Sequence, residues 1–232
     1  PEQSTRAEVY NFIVSEITSA LPFLSEDRSA KTYARFNNKW AAYALLAKVY
    51  LNAEVYSGTA QWNKCLEACE AIITSGKFGL EPVQRNVFKF ANENSSEIVW
   101  AIPYDVVYTA GSSSLIAITL PKESRATFNL MNNPSGGVTA IPQFISTYNT
   151  NDLRYTNGWL MGQQYSSTGA KLLCATGKLA GTPLIIINEC PGIDSTEVLH
   201  GYRFYKYEIP LGTHGYRIGN DCPFFRYADI LM

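Results

Sequence analysis

The chain has 232 residues, of which 46% are hydrophobic, 13% are aromatic and only 17% are charged, and its formal net charge is -1. This length suits one large or two small domains, and near-neutral charge without a basic stripe argues against binding to the phosphate backbone of nucleic acids. No stretch is long and apolar enough to predict a transmembrane helix. A surface poor in charge and rich in tyrosine and amide groups favours neutral, ring-shaped ligands such as sugars.

Three helices are predicted in the N-terminal third of the chain. Thr5 and Glu8 have the spacing of a capping box, which starts an amphipathic helix that ends before Pro22. The stretch 37–58 is apolar on most of its circumference and predicts a central buried helix. A third helix over 60–75 carries an apolar stripe that comprises Trp62, Cys65, Leu66, Cys69, Ile72 and Ile73. The second and third helices together predict one tetratricopeptide-like pair of about 34 residues.

The five cysteines do not predict a disulfide framework, because their number is odd and their spacing is scattered. Cys65 and Cys69 are four residues apart on a predicted helix. A disulfide within one helix has poor geometry, so this pair is interpreted as two small core residues.

Beyond residue 90 the chain becomes irregular. Short strands are predicted over 97–102, 158–164, 184–187 and 202–208, with a helix over 140–148, and segments rich in Gly, Ser and Asn separate them, including 111–114. Long ordered loops usually form binding surfaces. We therefore predict a mainly α fold with tetratricopeptide-like helix pairs, a large irregular loop-rich region and a few short strands. It forms one domain over 1–232, with a helical scaffold at 1–90 and a loop-rich ligand face at 91–232.

Searches for catalytic, metal and cofactor motifs give no positive result. The sequence has no nucleophile elbow and no phosphate-binding glycine loop, and its Cys and His residues match no zinc spacing. Glycoside hydrolysis needs two facing carboxylates, and nothing marks any two of the loop carboxylates as such a pair. Asp152 and Arg154 predict a clamp that ties a loop to a strand. We expect no enzyme activity, no cofactor and no metal.

Aromatic recognition is the remaining signal. Sugars stack their C–H faces on rings and pair their hydroxyl groups with amides. On a strand over 158–164, Trp159, Gln163 and the following Tyr165 would share one face. Sugar binding further predicts exposed, coplanar rings with amides such as Gln163 and Gln164 beside them. The predicted ligand-binding residues are Tyr104, Tyr108, Phe128, Tyr155, Trp159 and Tyr165.

Six segments of the chain, in this order, resemble the SusD/RagB family. The six segments cover almost the whole sequence: RAEVYNFIVSEI, KWAAYALLAKVYLNAEVYSGTAQW, SSEIVWAIPYD, FISTYNTNDLRYTNGWLMGQQY, YKYEI and NDCPFFRYADILM. The helix ALLAKVYLNAEVY in the second segment and the terminal segment NDCPFFRYADILM are the strongest markers of the family.

The resemblance implies a non-catalytic glycan-binding protein on the outer face of the outer membrane of Bacteroidetes. It implies delivery of oligosaccharides to a SusC-like TonB-dependent transporter, and attachment through a lipid anchor that this chain does not contain. Compared with the family, the chain is expected to be a fragment without the N-terminal part and the C-terminal helices. Arg226, Tyr227 and Asp229 match family motifs and are interpreted as structural.

Two alternatives stay open at this point. The RagB branch implies peptide binding by the same architecture. A helical-repeat scaffold whose partner is a protein is the third possibility, and it predicts that the rings of the loop-rich half are buried.

Overall fold

The computed structural model describes residues 3–28, 38–108, 118–215 and 218–232, so the predicted loop at 111–114 lies outside the described residues. Helices make up 39% and strands 12% of the described residues, which confirms the mainly helical prediction. No helix of the described residues is long and apolar enough to cross a bilayer.

The chain divides into two compact units. Unit 1 comprises Pro1–Pro82, Glu93–Pro103 and Cys222–Met232, and unit 2 comprises Val83–Asn92 and Tyr104–Asp221. The last segment of the chain therefore belongs to the unit of the N-terminal helices. The predicted organisation as one domain, with a scaffold and a ligand face, stays a prediction.

Unit 1 begins with helix α1, Arg6–Ala20, and the predicted capping box is present. The Thr5 side chain accepts from the Glu8 amide at 3.2 Å, and the Glu8 carboxylate accepts from the Thr5 amide at 2.7 Å. Pro22 lies in the 3-10 helix Leu21–Phe23, which follows α1 directly. The buried ring of Tyr10 fixes α1 against the ring of Tyr56, with centroids 6.5 Å apart.

The predicted central helix is two helices, α2, Lys39–Leu51, and α3, Ala53–Ser57. The buried Asn38 side chain caps α2 by accepting from the amides of Trp40 and Ala41 at 3.0 and 3.1 Å. The prediction of one continuous helix was wrong at Asn52, whose amide group donates to the Lys48 carbonyl at 2.8 Å and whose backbone leaves helical geometry. Gly58 ends α3 in the left-handed region, at φ 78°.

Helix α4, Trp62–Thr74, packs against α2, as the predicted pair requires. Ala44 and Ile72 are almost fully buried in one core cluster of unit 1. The apolar stripe of α4 is only partly covered, because Trp62 and Leu66 are exposed. Cys65 and Cys69 are half-buried and unbridged, and burial with the neighbouring thiol raises the pKa of Cys69 to about 11.

Two strands and a final helix complete unit 1. Strand β1, Ile98–Ile102, follows the 3-10 helix Asn92–Asn94 and pairs antiparallel with the C-terminal strand Cys222–Arg226, and helix Tyr227–Leu231 ends the chain. Arg226 lies 3.3 Å from the buried carboxylate of Glu97, and its amide donates to Asp229 at 2.8 Å. These contacts support the structural interpretation of Arg226 and Asp229.

Unit 2 has short elements joined by long ordered loops. Its helices are the 3-10 helix Gln84–Phe88, α5, Ser124–Phe128, α6, Pro142–Ile145, α7, Leu153–Gly158, and the 3-10 helix Ile193–Ser195. Its strands are β2, Trp159–Leu160, β3, Gly162–Gln163, β4, Ile185–Ile186, and β5, Arg203–Phe204. Strand β2 pairs with β5 and β3 pairs with β4, both antiparallel.

The predicted strand over 158–164 is therefore broken. Gly162, the first residue of β3, has φ 68°, a left-handed conformation that turns the chain just after β2. Trp159 and Tyr165 consequently belong to different two-stranded sheets or bridges and do not share one strand face.

Candidate functional site

A cluster of six rings in unit 2 is the strongest candidate site. Its members come from α6, the turn after it, α7, β2 and the β5 segment, and they are Phe144, Tyr148, Tyr155, Trp159, Tyr202 and Phe204. Trp159 lies at the centre, with ring centroids 6.2 Å from Phe144, 6.3 Å from Tyr148 and 6.1 Å from Phe204. Tyr155 continues the cluster, at 6.1 Å from Tyr148 and 6.4 Å from Tyr202.

Local sequence explains how the cluster is assembled. Pro142 begins α6, and the four-residue spacing of Phe144 and Tyr148 brings their rings within 5.6 Å. Asp152 caps α7 by accepting from the Arg154 amide at 2.8 Å. Helix α7 carries Tyr155 and is followed directly by β2. Pairing of β2 with β5 places Trp159 directly opposite Phe204.

Asp152 and Arg154 form the predicted clamp, but not between a loop and a strand. The Arg154 guanidinium donates to both carboxylate oxygens of Asp152, at the start of a short helix. Hydrogen bonds from the Arg154 side chain and amide lower the pKa of Asp152. The clamp therefore fixes the beginning of α7 and, through it, the position of Tyr155.

The cluster is most open to solvent at one ring. Phe144 is 51% exposed, whereas Tyr148, Tyr155, Trp159, Tyr202 and Phe204 are half-buried. The interplanar angles within the cluster range from 47° to 87°, so the rings do not form one coplanar row. Burial and a hydrogen bond with Tyr155 raise the pKa of Tyr202 to about 12, so this hydroxyl stays protonated at neutral pH.

A small cavity lies beside the central ring. Its volume is about 240 Å³, and it is lined by Thr119, Val138, Thr139, Ala140, Trp159 and Phe204. Val138 is 50% exposed, so the cavity is close to the surface. One wall of the cavity packs closely against Gly201, where a Cβ atom would lie only 2.5 Å from the Thr139 hydroxyl oxygen. The indole N–H of Trp159 is buried and has no acceptor among the described residues.

Arg203 supports this wall from inside. It is almost fully buried, and it donates to the carbonyl oxygens of Val198 at 2.6 Å and Val138 at 3.5 Å. Burial lowers the pKa of Arg203 to about 10, and the nearby Glu123 partly opposes this effect. The guanidinium therefore remains charged at neutral pH and holds backbone rather than a ligand.

The six predicted ligand residues fall in four places. Tyr155 and Trp159 lie in the ring cluster. Tyr104 and Tyr108 bound a loop that follows β1, and Tyr108 is 81% exposed. Phe128 is 5% exposed and packs on Tyr205, with centroids 5.5 Å apart. The structure therefore brings two of the six predicted rings together.

Tyr165 lies on a separate surface. The backbone segments at Gln164, Leu172 and Leu184 join in a closed ring of three hydrogen bonds, each 2.9 Å long. One side of this arrangement is buried and includes Leu184 and Ile186. The other side exposes Tyr165 together with Leu173 and Ile185.

The amides expected beside the rings serve the protein's own backbone. Gln163 donates to the carbonyl oxygens of Gln164 and Leu172 at 2.8 and 3.1 Å, and Gln164 donates to those of Met161 and Gly162 at 3.0 and 2.9 Å. These two side chains therefore stabilise the loops that carry the rings.

The loop carboxylates are likewise bound to nearby backbone. Asp105 accepts from the amides of Val107 and Tyr108 at 2.7 and 2.9 Å, and Asp221 accepts from the Tyr104 amide at 2.9 Å. Within the described residues, no group of three or more His, Cys, Asp or Glu side chains could hold a metal ion.

Sequence reasoning missed four members of the cluster, Phe144, Tyr148, Tyr202 and Phe204. Two signals were available for them. Phe144 and Tyr148 are four residues apart in a predicted helix, and Tyr202 and Phe204 alternate at the start of a predicted strand. The contact between these two segments depends on tertiary structure, which no local pattern reveals.

Comparison with known proteins finds similarity in sequence at the N-terminal end of the chain. Residues 2–51 match the family model SusD-like_3, described as "Starch-binding associating with outer membrane". No curated protein matches the chain in sequence.

Solved structures resemble the whole chain in fold. A SusD superfamily protein from Parabacteroides distasonis has 17% sequence identity and a TM-score of 0.68, over 97% of this chain and 44% of its own. Surface glycan-binding protein A from Bacteroides thetaiotaomicron has 17% identity and a TM-score of 0.69, over 97% and 48%. Its complex with laminarihexaose has 16% identity and a TM-score of 0.67, over 96% and 48%.

The chain thus spans a little under half the length of these structures. The family match at residues 2–51 and the shared fold over almost all of the chain agree with each other. The chain therefore resembles the SusD-like family in sequence over residues 2–51 and shares the fold of these SusD superfamily and surface glycan-binding structures along its length.

Proposed function

We propose that this chain belongs to a non-catalytic protein that binds oligosaccharides or polysaccharides at the cell surface. The observation that carries the proposal is the ring cluster around Trp159, which presents Phe144 to solvent beside an open cavity. A structure of the same fold, surface glycan-binding protein A, is known with bound laminarihexaose. The ring cluster supports sugar binding by unit 2, and the complex supports sugar binding by a protein of this fold.

The chemistry of the cluster suits a sugar. A pyranose offers an apolar C–H face, which stacks on an exposed ring such as Phe144, and each aromatic contact contributes about 0.5–1.5 kcal/mol. Tyrosine hydroxyl groups at the rim, from Tyr148 and Tyr155, supply hydrogen bonds to sugar hydroxyls. Tyr108 and Tyr165 are further exposed rings in unit 2, which suits a ligand longer than one sugar.

Binding without cleavage is part of the proposal. Hydrolysis of a glycosidic bond requires two carboxyl groups, one on each side of the bond. The loop carboxylates of Asp105, Asp152 and Asp221 instead accept hydrogen bonds from neighbouring backbone or from Arg154. These contacts give the three carboxylates structural roles.

The proposal extends to location and partner. We place the protein at the outer membrane, facing outward, where it passes its ligand to a SusC-like TonB-dependent transporter. The description of the family model, which names starch binding and the outer membrane, supports the location. The transporter rests on the family resemblance alone.

A binding screen with product analysis tests this function. The chain is run in native gels containing each of a panel of soluble polysaccharides, and the same mixtures are incubated and analysed for shorter sugars. We expect retarded migration with at least one polysaccharide, and no release of shorter sugars. Trp159→Ala and Tyr165→Ala are run beside it, with Tyr43→Ala in unit 1 as a control.

Two results would contradict the proposal. Release of oligosaccharides would make the chain an enzyme. Failure to bind any polysaccharide, together with clear binding to a peptide library, would instead favour the peptide-binding alternative. Unchanged binding in both the Trp159 and Tyr165 variants would place the sugar elsewhere.

A further inference from the structure

The cavity beside Trp159 is too small to hold a whole ligand. Its volume of about 240 Å³ lies below the range of about 300–1,000 Å³ that is typical of pockets for complete small molecules. It therefore suits one substituent of a ligand that is bound mainly outside it. The ring of Phe144 does not line the cavity, but it is exposed and lies 6.2 Å from Trp159, which does, so it is the surface that we assign to the rest of that ligand.

The walls of the cavity are poorly matched to a hydroxyl group. The Thr119 hydroxyl donates to the Phe204 carbonyl at 3.4 Å, and the Ala140 amide donates to the Tyr202 carbonyl at 2.9 Å. The indole N–H of Trp159 is shielded from solvent. A hydroxyl that entered would exchange its water contacts for the oxygen atoms of Thr119 and Thr139 in an otherwise apolar lining, which costs free energy.

The walls are well matched to a methyl group. Val138, Ala140 and the ring faces of Trp159 and Phe204 supply apolar contacts, and the short side chains leave space for a few heavy atoms. Burying one methyl group here strengthens binding by about fourfold. The cavity therefore favours binding of sugars according to the substituent they carry and not according to the sugar ring.

We propose that this cavity receives a methyl-terminated substituent of the bound glycan, such as the methyl group of an acetylated or 6-deoxy sugar, while the sugar ring stacks on Phe144. This assignment rests on the proposed glycan-binding function and adds a ligand class to it. Arg203 and Gly201 support it indirectly, because they fix the backbone at Val138 and the approach of Thr139.

Saturation transfer difference NMR on the 232-residue chain tests the proposal with matched sugars. L-fucose is compared with L-galactose, which carries a hydroxymethyl group in place of the methyl group, and N-acetylglucosamine is compared with glucose. We expect the methyl-bearing sugar of at least one pair to bind about fourfold or more tightly. Its methyl protons should receive the strongest saturation, and the pair that responds identifies the substituent.

Two variants occupy the cavity in different ways. Ala140→Leu fills the cavity from its wall. Val138→Phe covers the cavity from a side chain that is already half exposed, so it tests the assignment even if Ala140→Leu fails to fold. Both should abolish the preference for the methyl-bearing sugar. Ala180→Leu, a change of the same size at an exposed position, should retain it.

The outcomes separate this inference from the proposed function. Equal binding within both sugar pairs, or a preference that survives in both cavity variants, overturns the cavity assignment while sugar binding stands. Failure of every sugar and every polysaccharide to bind overturns the proposed function and the cavity assignment together.

Discussion

Tyr202 is a residue of the ring cluster whose protonation differs between the folded and unfolded chain. Burial and the hydrogen bond with Tyr155 raise its pKa from 10.0 to about 12, so the folded chain holds the phenolic proton more tightly. The resulting stabilisation is complete below a pH of about 10 and is lost as the pH rises through about 12.

Denaturant titrations across that alkaline window measure this effect. The unfolding midpoint of the unmodified chain should fall more steeply than that of Tyr202→Phe, which has no proton to lose at this position. Tyr108→Phe, at a position 81% exposed, is the control and should follow the unmodified chain. Parallel curves for all three proteins would contradict the assignment.

Asn38 is a single residue on which the start of α2 depends. Its side chain accepts from the amides of Trp40 and Ala41, two donors that have no partner within the helix. Asn38→Ala should lower the free energy of unfolding by about 1 kcal/mol, and by up to about 2 kcal/mol because the site is buried. Asn151→Ala, on an exposed turn, should change it by about 0.5 kcal/mol or less. Equal effects of the two changes would contradict the capping role.

At the scale of elements, most helix boundaries in the N-terminal third of the chain could be predicted from the sequence, whereas the elements of the loop-rich region could be predicted only in part. Thr5, Glu8, Pro22 and Gly58 act through their nearest neighbours, so the local pattern predicted where they begin or end helices. Asn52 breaks the central helix through a hydrogen bond to Lys48 within its own turn. Nothing in the surrounding apolar run indicates that break.

The candidate site shows the same limit more strongly. Trp159 and Tyr155 were predicted because they are aromatic residues with amide residues near them in sequence. The cluster exists, however, because β2 pairs with β5, which lies about 45 residues later in the chain. Phe128 was predicted as a ligand residue because its neighbours are polar in sequence. Its burial on Tyr205 follows from tertiary packing, which sequence alone does not show.

The packing of α2 on α4 is an element-scale feature with a direct test. Ile72 has no exposed surface and lies in a cluster with Trp40, Ala44 and Val99. Ile72→Ala should lower the free energy of unfolding by about 3 kcal/mol, through lost burial and the cavity left behind. Chemical denaturation measures this change.

Ile73 provides the matched control for that measurement. It is the next residue on the same helix and is 38% exposed, so Ile73→Ala should cost about 1 kcal/mol or less. A larger loss for Ile73→Ala than for Ile72→Ala would show that α4 presents a different face to α2.

At the scale of the whole molecule, the family match and the candidate site lie in different units. Unit 1 holds helices α1 to α4 and the residues that match the family model, and unit 2 holds the ring cluster, the cavity and all six predicted ligand residues. Both units expose phenylalanine, Phe12 on α1 and Phe144 on α6. An exposed ring alone therefore does not identify the ligand site, and our proposal of sugar binding by unit 2 rests on the ring cluster and the cavity.

The most direct test compares these two rings. Phe12→Ala and Phe144→Ala are each titrated by calorimetry with the polysaccharide that the unmodified chain binds most tightly, after circular dichroism confirms that both variants fold. We predict that Phe144→Ala weakens binding by about two- to tenfold through loss of one stacking contact, whereas Phe12→Ala leaves it unchanged. Weaker binding in Phe12→Ala with full affinity in Phe144→Ala would contradict the assignment of glycan binding to unit 2.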